Sequence, residues 1–80
     1  MKHYVLYYKY GGDFMFSYKP LLIQLVQKDM TKTELRLKTG ISSATLAKIS
    51  KNEYISMEAL DKICTILECK IEDVIEHQSK

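Results

Sequence analysis

The 80-residue sequence has no tryptophan, one proline, three glycines and two cysteines, and it has no long apolar run. No window of roughly 18 consecutive apolar residues is present, so we expect no membrane-spanning helix. The N-terminal stretch interleaves tyrosine and lysine and lacks the apolar segment of a secretory signal, so the expected location is cytoplasmic. We recognise no carboxylate pair, no nucleophile beside a base and no phosphate loop, and we predict no enzyme activity.

Cysteine and histidine are scarce, which argues against metal and redox chemistry. Cys64 and Cys69 lie five positions apart, and on a continuous helix that spacing turns them about 140° from each other. We therefore expect no disulfide between them, and we interpret Cys64 as a small buried apolar residue. His3 and His77 stand at opposite ends of the chain, so a cysteine–histidine zinc site is not expected. No cofactor and no small-molecule ligand are predicted.

The chain length and the charge distribution suggest one domain with a polarised field. A chain of this length forms a single domain, since separate cores need roughly 100–200 residues each. Residues 21–52 carry six basic side chains against two acidic ones, whereas residues 53–80 carry three basic against seven acidic ones. Many solvated helices share such a gradient, so it supports a nucleic-acid partner only together with other features.

One local pattern occurs three times: an apolar residue, a hydroxyl residue, and leucine four positions after the hydroxyl. The sets are Met30–Thr31–Leu35, Ile41–Ser42–Leu46 and Ile55–Ser56–Leu60. The pattern is typical of a serine or threonine N-cap flanked by a hydrophobic staple. Glu34 follows Thr31 by three positions and completes a capping box. Three such signals predict three helix starts.

These starts divide the chain into helices. We predict helices over 19–28, 32–39, 43–51 and 57–69, and a short fifth element near 72–77. Pro20 suits the first turn of the first helix, and Gly40 suits the left-handed position past the end of the second. The apolar residues expected to face inward are Leu21, Leu22, Leu25, Val26, Leu46, Ile49, Met57, Leu60, Ile63, Cys64, Leu67, Val74 and Ile75.

The first part of the chain has a different character. Residues 3–10 are rich in strand formers, Gly11 and Gly12 are a turn signal, and residues 14–18 fit a second strand. Because a lone hairpin is marginal in water, this segment must pack on the helices, pair with another chain, or stay mobile. We divide the chain into an extended or β-hairpin leader (1–17), a helical domain (18–77) and a tail (78–80).

The second and third helices are separated only by residues 39–41, a turn short enough for a helix-turn-helix. With Leu46 and Ile49 facing inward, the opposite side of the third helix holds Ala44, Ala47, Lys48 and Lys51, and no acid lies between Ala44 and Asn52. Small side chains allow close approach to a DNA groove, and lysines can meet phosphates or guanine edges. The alternative reading is an ordinary solvated helix face.

The segments KDMTKTEL (28–35), TGISSATL (39–46) and KNEYISMEAL (51–60) resemble the Cro/phage-repressor (XRE) helix-turn-helix family. The likeness extends over about 17–76 and is greatest to the small single-domain regulators of Gram-positive bacteria. It implies an all-α, five-helix phage-repressor-like bundle whose third helix enters the major groove. The chain departs from the family at Arg36, where a small residue usually packs between the two motif helices.

The resemblance also implies which side chains meet DNA. By position it assigns a base-facing set of Ser43, Ala44, Thr45 and Lys48. It assigns a phosphate-facing set of Thr31, Lys32, Ser42, Lys51 and Asn52, to which an outward-turned Arg36 can be added. Thr31 and Ser42 also serve as helix caps in this interpretation.

Two functions remain open at this point. The first is a sequence-specific transcription regulator that binds a double-stranded DNA operator as a homodimer. The dimer surface would be the fourth and fifth helices, with Ile66 off the core stripe, or the aromatic N-terminal strand. The second is a protein-interaction module, an antitoxin-like or repressor-binding partner that uses the same fold.

Overall fold

The computed structural model describes residues 15–78, which form four α-helices and a small two-stranded sheet. In chain order the elements are β1 (Phe16–Ser17), α1 (Lys19–Gln27), α2 (Lys32–Thr39), α3 (Ser43–Ser50), α4 (Met57–Leu67), a 3₁₀ turn (Ile71–Asp73) and β2 (Glu76–His77). The predicted bounds of the first three helices hold to within one residue at each end. Among these residues no helix is long and apolar enough to cross a membrane.

Side-chain caps start three of the helices, as predicted. Thr31 accepts a 3.0 Å bond from the amide of Glu34, and the Glu34 carboxylate accepts a 2.8 Å bond from the amide of Thr31. Ser42 and Ser56 each accept a 3.0 Å bond from the backbone amide three residues further on. These bonds satisfy amides that the first turn of a helix otherwise leaves unpaired.

Each helix end uses a residue with positive φ, but glycine supplies only one of them. Gly40 has φ +79° after α2, as expected. After the other three helices the residues are Asp29, Asn52 and Glu68, with φ between 52° and 58°. In all three cases the next amide bonds back to the carbonyl five residues earlier, which defines a Schellman motif.

The Schellman motif at the end of α4 corrects the prediction about the cysteines. The helix ends at Leu67 rather than at residue 69, because Glu68 turns into the left-handed region. The amide of Cys69 then bonds to the carbonyl of Cys64 at 3.1 Å. The two side chains therefore lie together, and the expectation that they point to different faces of one helix is wrong. The thiol of Cys64 is only partly buried.

The C-terminal part of the described chain also departs from the prediction of a fifth helix. Residues 71–73 make one 3₁₀ turn, and Glu76–His77 are extended. They pair antiparallel with β1, with Phe16 opposite His77 and Ser17 opposite Glu76. Because this ladder holds the backbone of residues 76–77 extended, a helix cannot continue through them. The β1 strand lies within the predicted strand 14–18, whereas the predicted strand 3–10 and its turn lie outside the described residues.

The core contains side chains from every helix, from Tyr18 after β1, from Ile41 in the turn after α2, and from Val74 after the 3₁₀ turn. Its buried members are Tyr18, Leu21, Leu25, Leu35, Ile41, Ile49, Ala59, Leu60, Ile63, Leu67 and Val74. Two residues predicted to face inward do not: Val26 and Met57 are each 79% exposed. Val26 is in the last turn of α1 and Met57 is the first residue of α4. At these helix ends the apolar side of the helix extends beyond the core, so both side chains are exposed.

Candidate nucleic-acid interface

The turn between α2 and α3 is held by bonds within its own few residues. The hydroxyl of Thr39 donates to the carbonyl of Leu35 at 2.8 Å and accepts from the amide of Ile41 at 3.4 Å. Gly40 donates to the carbonyl of Arg36 at 2.9 Å, and the buried side chain of Ile41 anchors the turn in the core. Helix α2 packs against both α3 and α4. The start of α3 is thereby fixed relative to α2.

Helix α3 has one buried side and one broad exposed side. Ile49 is buried and Leu46 is half-buried, which orients the helix on the core as predicted. The exposed side carries small and basic residues, and no acid occurs between positions 43 and 52. The exposed members are Ser43, Ala44, Ala47, Lys48, Ser50 and Lys51, and Thr45 is half-buried. The predicted base-facing set thus lies on one helix, with Ser43, Ala44 and Thr45 in its first turn and Lys48 in its last.

The first turn of α3 is tightly bonded. The hydroxyl of Ser42 accepts from the amide of Thr45 and donates to the hydroxyl of Thr45, both at 3.0 Å. A polar groove beside this turn is lined by residues of the α4 start, including Ser56 and Lys62. Two helix N-termini therefore approach the same surface. Lys62 and Glu58 both line this groove and pair with each other at 3.8 Å, so their charges offset one another there.

A direct bond joins the beginning of α2 to the end of α3. The ammonium group of Lys32 donates to the hydroxyl of Ser50 at 3.2 Å, and both residues are exposed. The Ser50 hydroxyl in turn donates to the carbonyl of Leu46 at 3.4 Å. Arg36, where a small residue was expected, is accommodated half-buried on α2. Lys32 is therefore held beside the end of α3, with donors still available on its ammonium group.

The end of α3 is tied to the N-terminal strand. Asn52 has φ +58°, and its side-chain oxygen accepts a 3.0 Å bond from the amide of Tyr18. Because that oxygen is engaged, the amide nitrogen of Asn52 is the part that can donate to a phosphate. Lys51 precedes it as the exposed C-cap of α3.

Glu34, an acid beside the predicted phosphate set, is engaged in a helix cap. The backbone amide of Thr31 bonds the Glu34 carboxylate and lowers the pKa of that carboxyl. Its charge lies at the start of α2, where it complements the positive end of the helix dipole. Within the described residues, no three histidine, cysteine, aspartate or glutamate side chains gather where a metal ion could be held.

Sequence reasoning missed Ser50 and Lys62 at this surface, and it missed the buried Tyr18, which bonds the loop after α3. The sequence pattern predicts Tyr18 at the end of a strand, and nothing local marks its bond to the loop after α3. Ser50 meets Lys32 across 18 positions, a distance that helix periodicity cannot bridge. Lys62 is exposed on α4, and its position beside Ser42 depends on how α4 crosses the start of α3.

Two helices joined by a short glycine turn, the second with an acid-free basic face, define a helix-turn-helix protein. The profile of the Cro/C1-type HTH DNA-binding domain matches residues 21–80. The chain belongs to this family, in agreement with the resemblance seen in the sequence.

Two relatives are similar over most of their length. A Bacillus subtilis (strain 168) protein described as the uncharacterized HTH-type transcriptional regulator YozG is 36% identical over 59 residues, which is 71% of this chain and 70% of that protein. The crystal structure of the transcriptional regulator VanUg (form II) superposes with a TM-score of 0.79 at 41% identity. That match covers 82% of this chain and 88% of the other.

Proposed function

We propose that this protein is a sequence-specific transcription regulator that inserts α3 into the major groove of an operator. The observation that carries the proposal is the exposed side of α3: small and basic residues without an acid, on a helix fixed by the turn at Gly40. Family membership and the printed descriptions of both relatives support it. An acid on this side would repel the phosphates that flank the groove.

The base-facing set is Ser43, Ala44, Thr45 and Lys48. Ala44 has no side chain beyond Cβ, so the helix backbone can approach the base edges closely. Lys48 lies one turn further along the helix from Ala44 and is the single long donor of this set. Because the set has no glutamine, asparagine or arginine, we infer that recognition relies on Lys48 hydrogen bonds and on methyl contacts to thymine.

The phosphate-facing set surrounds α3 on both sides of the groove. Its members are Thr31, Lys32, Arg36, Ser42, Lys51 and Asn52. Thr31 and Ser42 can contact a phosphate while they cap their helices. The cap occupies the side-chain hydroxyl, and the other first-turn amides of each helix remain free to bind the phosphate. Lys62 is a further candidate, since it lines the groove beside the start of α3.

We further propose that the regulator acts as a homodimer. One helix in one groove gives modest affinity, whereas two half-sites roughly add their free energies. Exposed apolar side chains are available for such contacts on α4 and near the sheet. They include Phe16, Tyr54, Met57, Ile66 and Ile71. Light scattering on the free protein and on its operator complex measures the number of copies in each.

Selection of bound genomic fragments, followed by affinity measurements across a salt series, tests this function. We expect an enriched operator with two related half-sites, and a log–log salt slope of about −0.9 for each phosphate neutralised. A protein-interaction module on the same fold would enrich no sequence and would show only weak, non-specific DNA retention. Such a result would refute the proposal.

A further inference from the structure

Both cysteines of the chain meet at the end of α4. In a Schellman motif the side chains at the two ends of the long backbone bond are frequently in contact. At the end of α1 these positions hold Leu25 and Met30, which both pack on the core. At the end of α4 the equivalent positions hold Cys64 and Cys69. A contact that is purely apolar in α1 is therefore a pair of thiols in α4.

The surroundings hold the two thiols in place. The amide of Cys69 bonds the carbonyl of Cys64 at 3.1 Å, and Cys69 is close enough to contribute to the raised pKa of the Cys64 thiol. The side-chain amide of Gln24, which is anchored on the carbonyl of Asp73 at 3.1 Å, also approaches the sulfur of Cys69 at 3.6 Å. The Schellman turn and α1 therefore fix both cysteines.

The pair is also reachable from solvent. Both cysteines are free and partly exposed. Cys64 lines an open surface groove together with Leu60 and Ile71, through which a small molecule can approach its sulfur. Burial, and next to it the neighbouring Cys69, raises the pKa of the Cys64 thiol. Because the thiolate is the attacking species, reaction at Cys64 is slow at neutral pH and accelerates as the pH rises.

We propose that Cys64 and Cys69 are a redox modification site that forms a reversible disulfide by exchange with a low-molecular-weight disulfide. In the first step one cysteine thiolate attacks a sulfur of the small disulfide, a mixed disulfide forms, and one small thiolate leaves. In the second step the other cysteine attacks the protein sulfur of the mixed disulfide, and the second small thiolate leaves. Two electrons pass to the small disulfide, and the two cysteine protons end on the released thiols.

The disulfide locks a turn that the reduced protein already has. It closes a ring of only six residues, so it restricts the unfolded chain little. The ring lies at the end of α4, whereas Ser42 and the DNA-facing turn of α3 lie beside its beginning. We therefore expect oxidation to leave the recognition surface in place and to act on the α4 end and the adjoining 3₁₀ turn.

The test equilibrates the full chain in native buffer with a series of reduced and oxidised glutathione mixtures, followed by acid quenching and intact-mass measurement. We expect a monomer about 2 Da lighter than the reduced chain, without bound glutathione. The variants Cys64→Ser and Cys69→Ser cannot form the internal disulfide. Each should accumulate only the glutathione adduct of its remaining thiol. The same glutathione series in concentrated guanidinium measures the equilibrium for forming the internal disulfide in the unfolded chain.

Because the fold holds the thiols together, the equilibrium constant for the internal disulfide should be at least about tenfold higher in native buffer than in guanidinium. Two outcomes would overturn the proposal. One is a folded wild-type chain that yields only glutathione adducts or disulfide-linked dimers. The other is an equilibrium constant that is the same in native buffer and in denaturant.

Discussion

The phenolic hydroxyl of Tyr18 donates a 2.7 Å hydrogen bond to the backbone carbonyl of Glu53, 35 positions away. The backbone amide of the same tyrosine donates to the side chain of Asn52. One buried residue at the start of the helical region therefore holds the segment that follows α3. Since α3 is anchored at its start by the turn at Gly40, these bonds secure its other end.

Removal of the Tyr18 hydroxyl should destabilise the protein. In Tyr18→Phe the carbonyl of Glu53 loses this donor, which should cost about 1 kcal/mol of unfolding free energy. In a domain of this size that corresponds to a fall of roughly 4–8 °C in the melting temperature. Urea unfolding at neutral pH measures it, and an unchanged free energy would contradict the assigned bond.

The same variant should also differ from the wild type in alkali. Burial raises the pKa of the Tyr18 phenol, so the unfolded state loses this proton first as the pH rises. The contribution of the Tyr18 hydroxyl to the free energy of unfolding is complete below the ordinary tyrosine pKa of about 10. It decreases as the pH rises above that value. The stability gap between wild type and Tyr18→Phe should therefore narrow above that pH, whereas a constant gap would count against the burial argument.

Gly40 should be replaceable only at a conformational cost. A Cβ added there meets no atom within 4 Å, so any penalty of Gly40→Ala comes from the positive φ of 79°. We expect a loss of about 1–2 kcal/mol in unfolding free energy. Gly40→Asn, which tolerates this region better, should lose less. Equal stabilities for alanine and glycine would show that φ is not held positive in solution.

The capping box at the start of α2 should give a specific acid dependence. The bond from the Thr31 amide lowers the Glu34 carboxyl pKa in the folded state. The ionised Glu34 carboxylate therefore stabilises the folded state fully at a pH above the carboxyl pKa of the unfolded chain. This stabilisation is lost as the pH falls through the lower pKa that the carboxyl has in the folded state. Glu34→Gln retains an acceptor without the charge. Unfolding free energies at neutral and acid pH should show a gap between the two proteins that shrinks in acid, and a gap that stays constant would exclude this linkage.

Lys32→Ala should weaken binding to operator and unrelated DNA by nearly the same factor. In the proposed function Lys32 contacts a phosphate, which carries no sequence information, so the log–log salt slope should become less negative by about one. Because Lys32 also bonds Ser50, the control is Ser50→Ala, which removes that bond but keeps the charge. If Ser50→Ala had the larger effect, positioning of the helices and not phosphate contact would be the role of Lys32.

Local chemistry explains which features could be predicted. The caps at Thr31, Ser42 and Ser56 and the turn at Gly40 depend on residues within four positions, so the sequence alone located these helix starts. The left-handed residues Asp29 and Glu68 were missed because neither is a glycine. Their conformation depends on how the following chain returns to the core.

Long-range features could not be predicted from local pattern. The pairing of Phe16 with His77 joins the two ends of the described chain, and it replaced a predicted helix by a strand. The outward side of α3 was predictable, because Leu46 and Ile49, one turn apart on the same side, fix the helix orientation. The bond between Lys32 and Ser50 was not, because it depends on the packing of α2 against α3.

The most direct test of the account compares the operator preference of Lys48→Ala with that of Lys70→Ala. Both variants lose one exposed positive charge, but Lys70 follows the end of α4, about 16 Å along that helix from the start that adjoins α3. Affinities for the selected operator and for unrelated DNA, at one salt concentration, give the preference of each protein. Lys48→Ala should lose about tenfold or more of this preference, whereas Lys70→Ala should retain it. A Lys48→Ala protein with the full wild-type preference would contradict the claim that this side of α3 reads the DNA sequence.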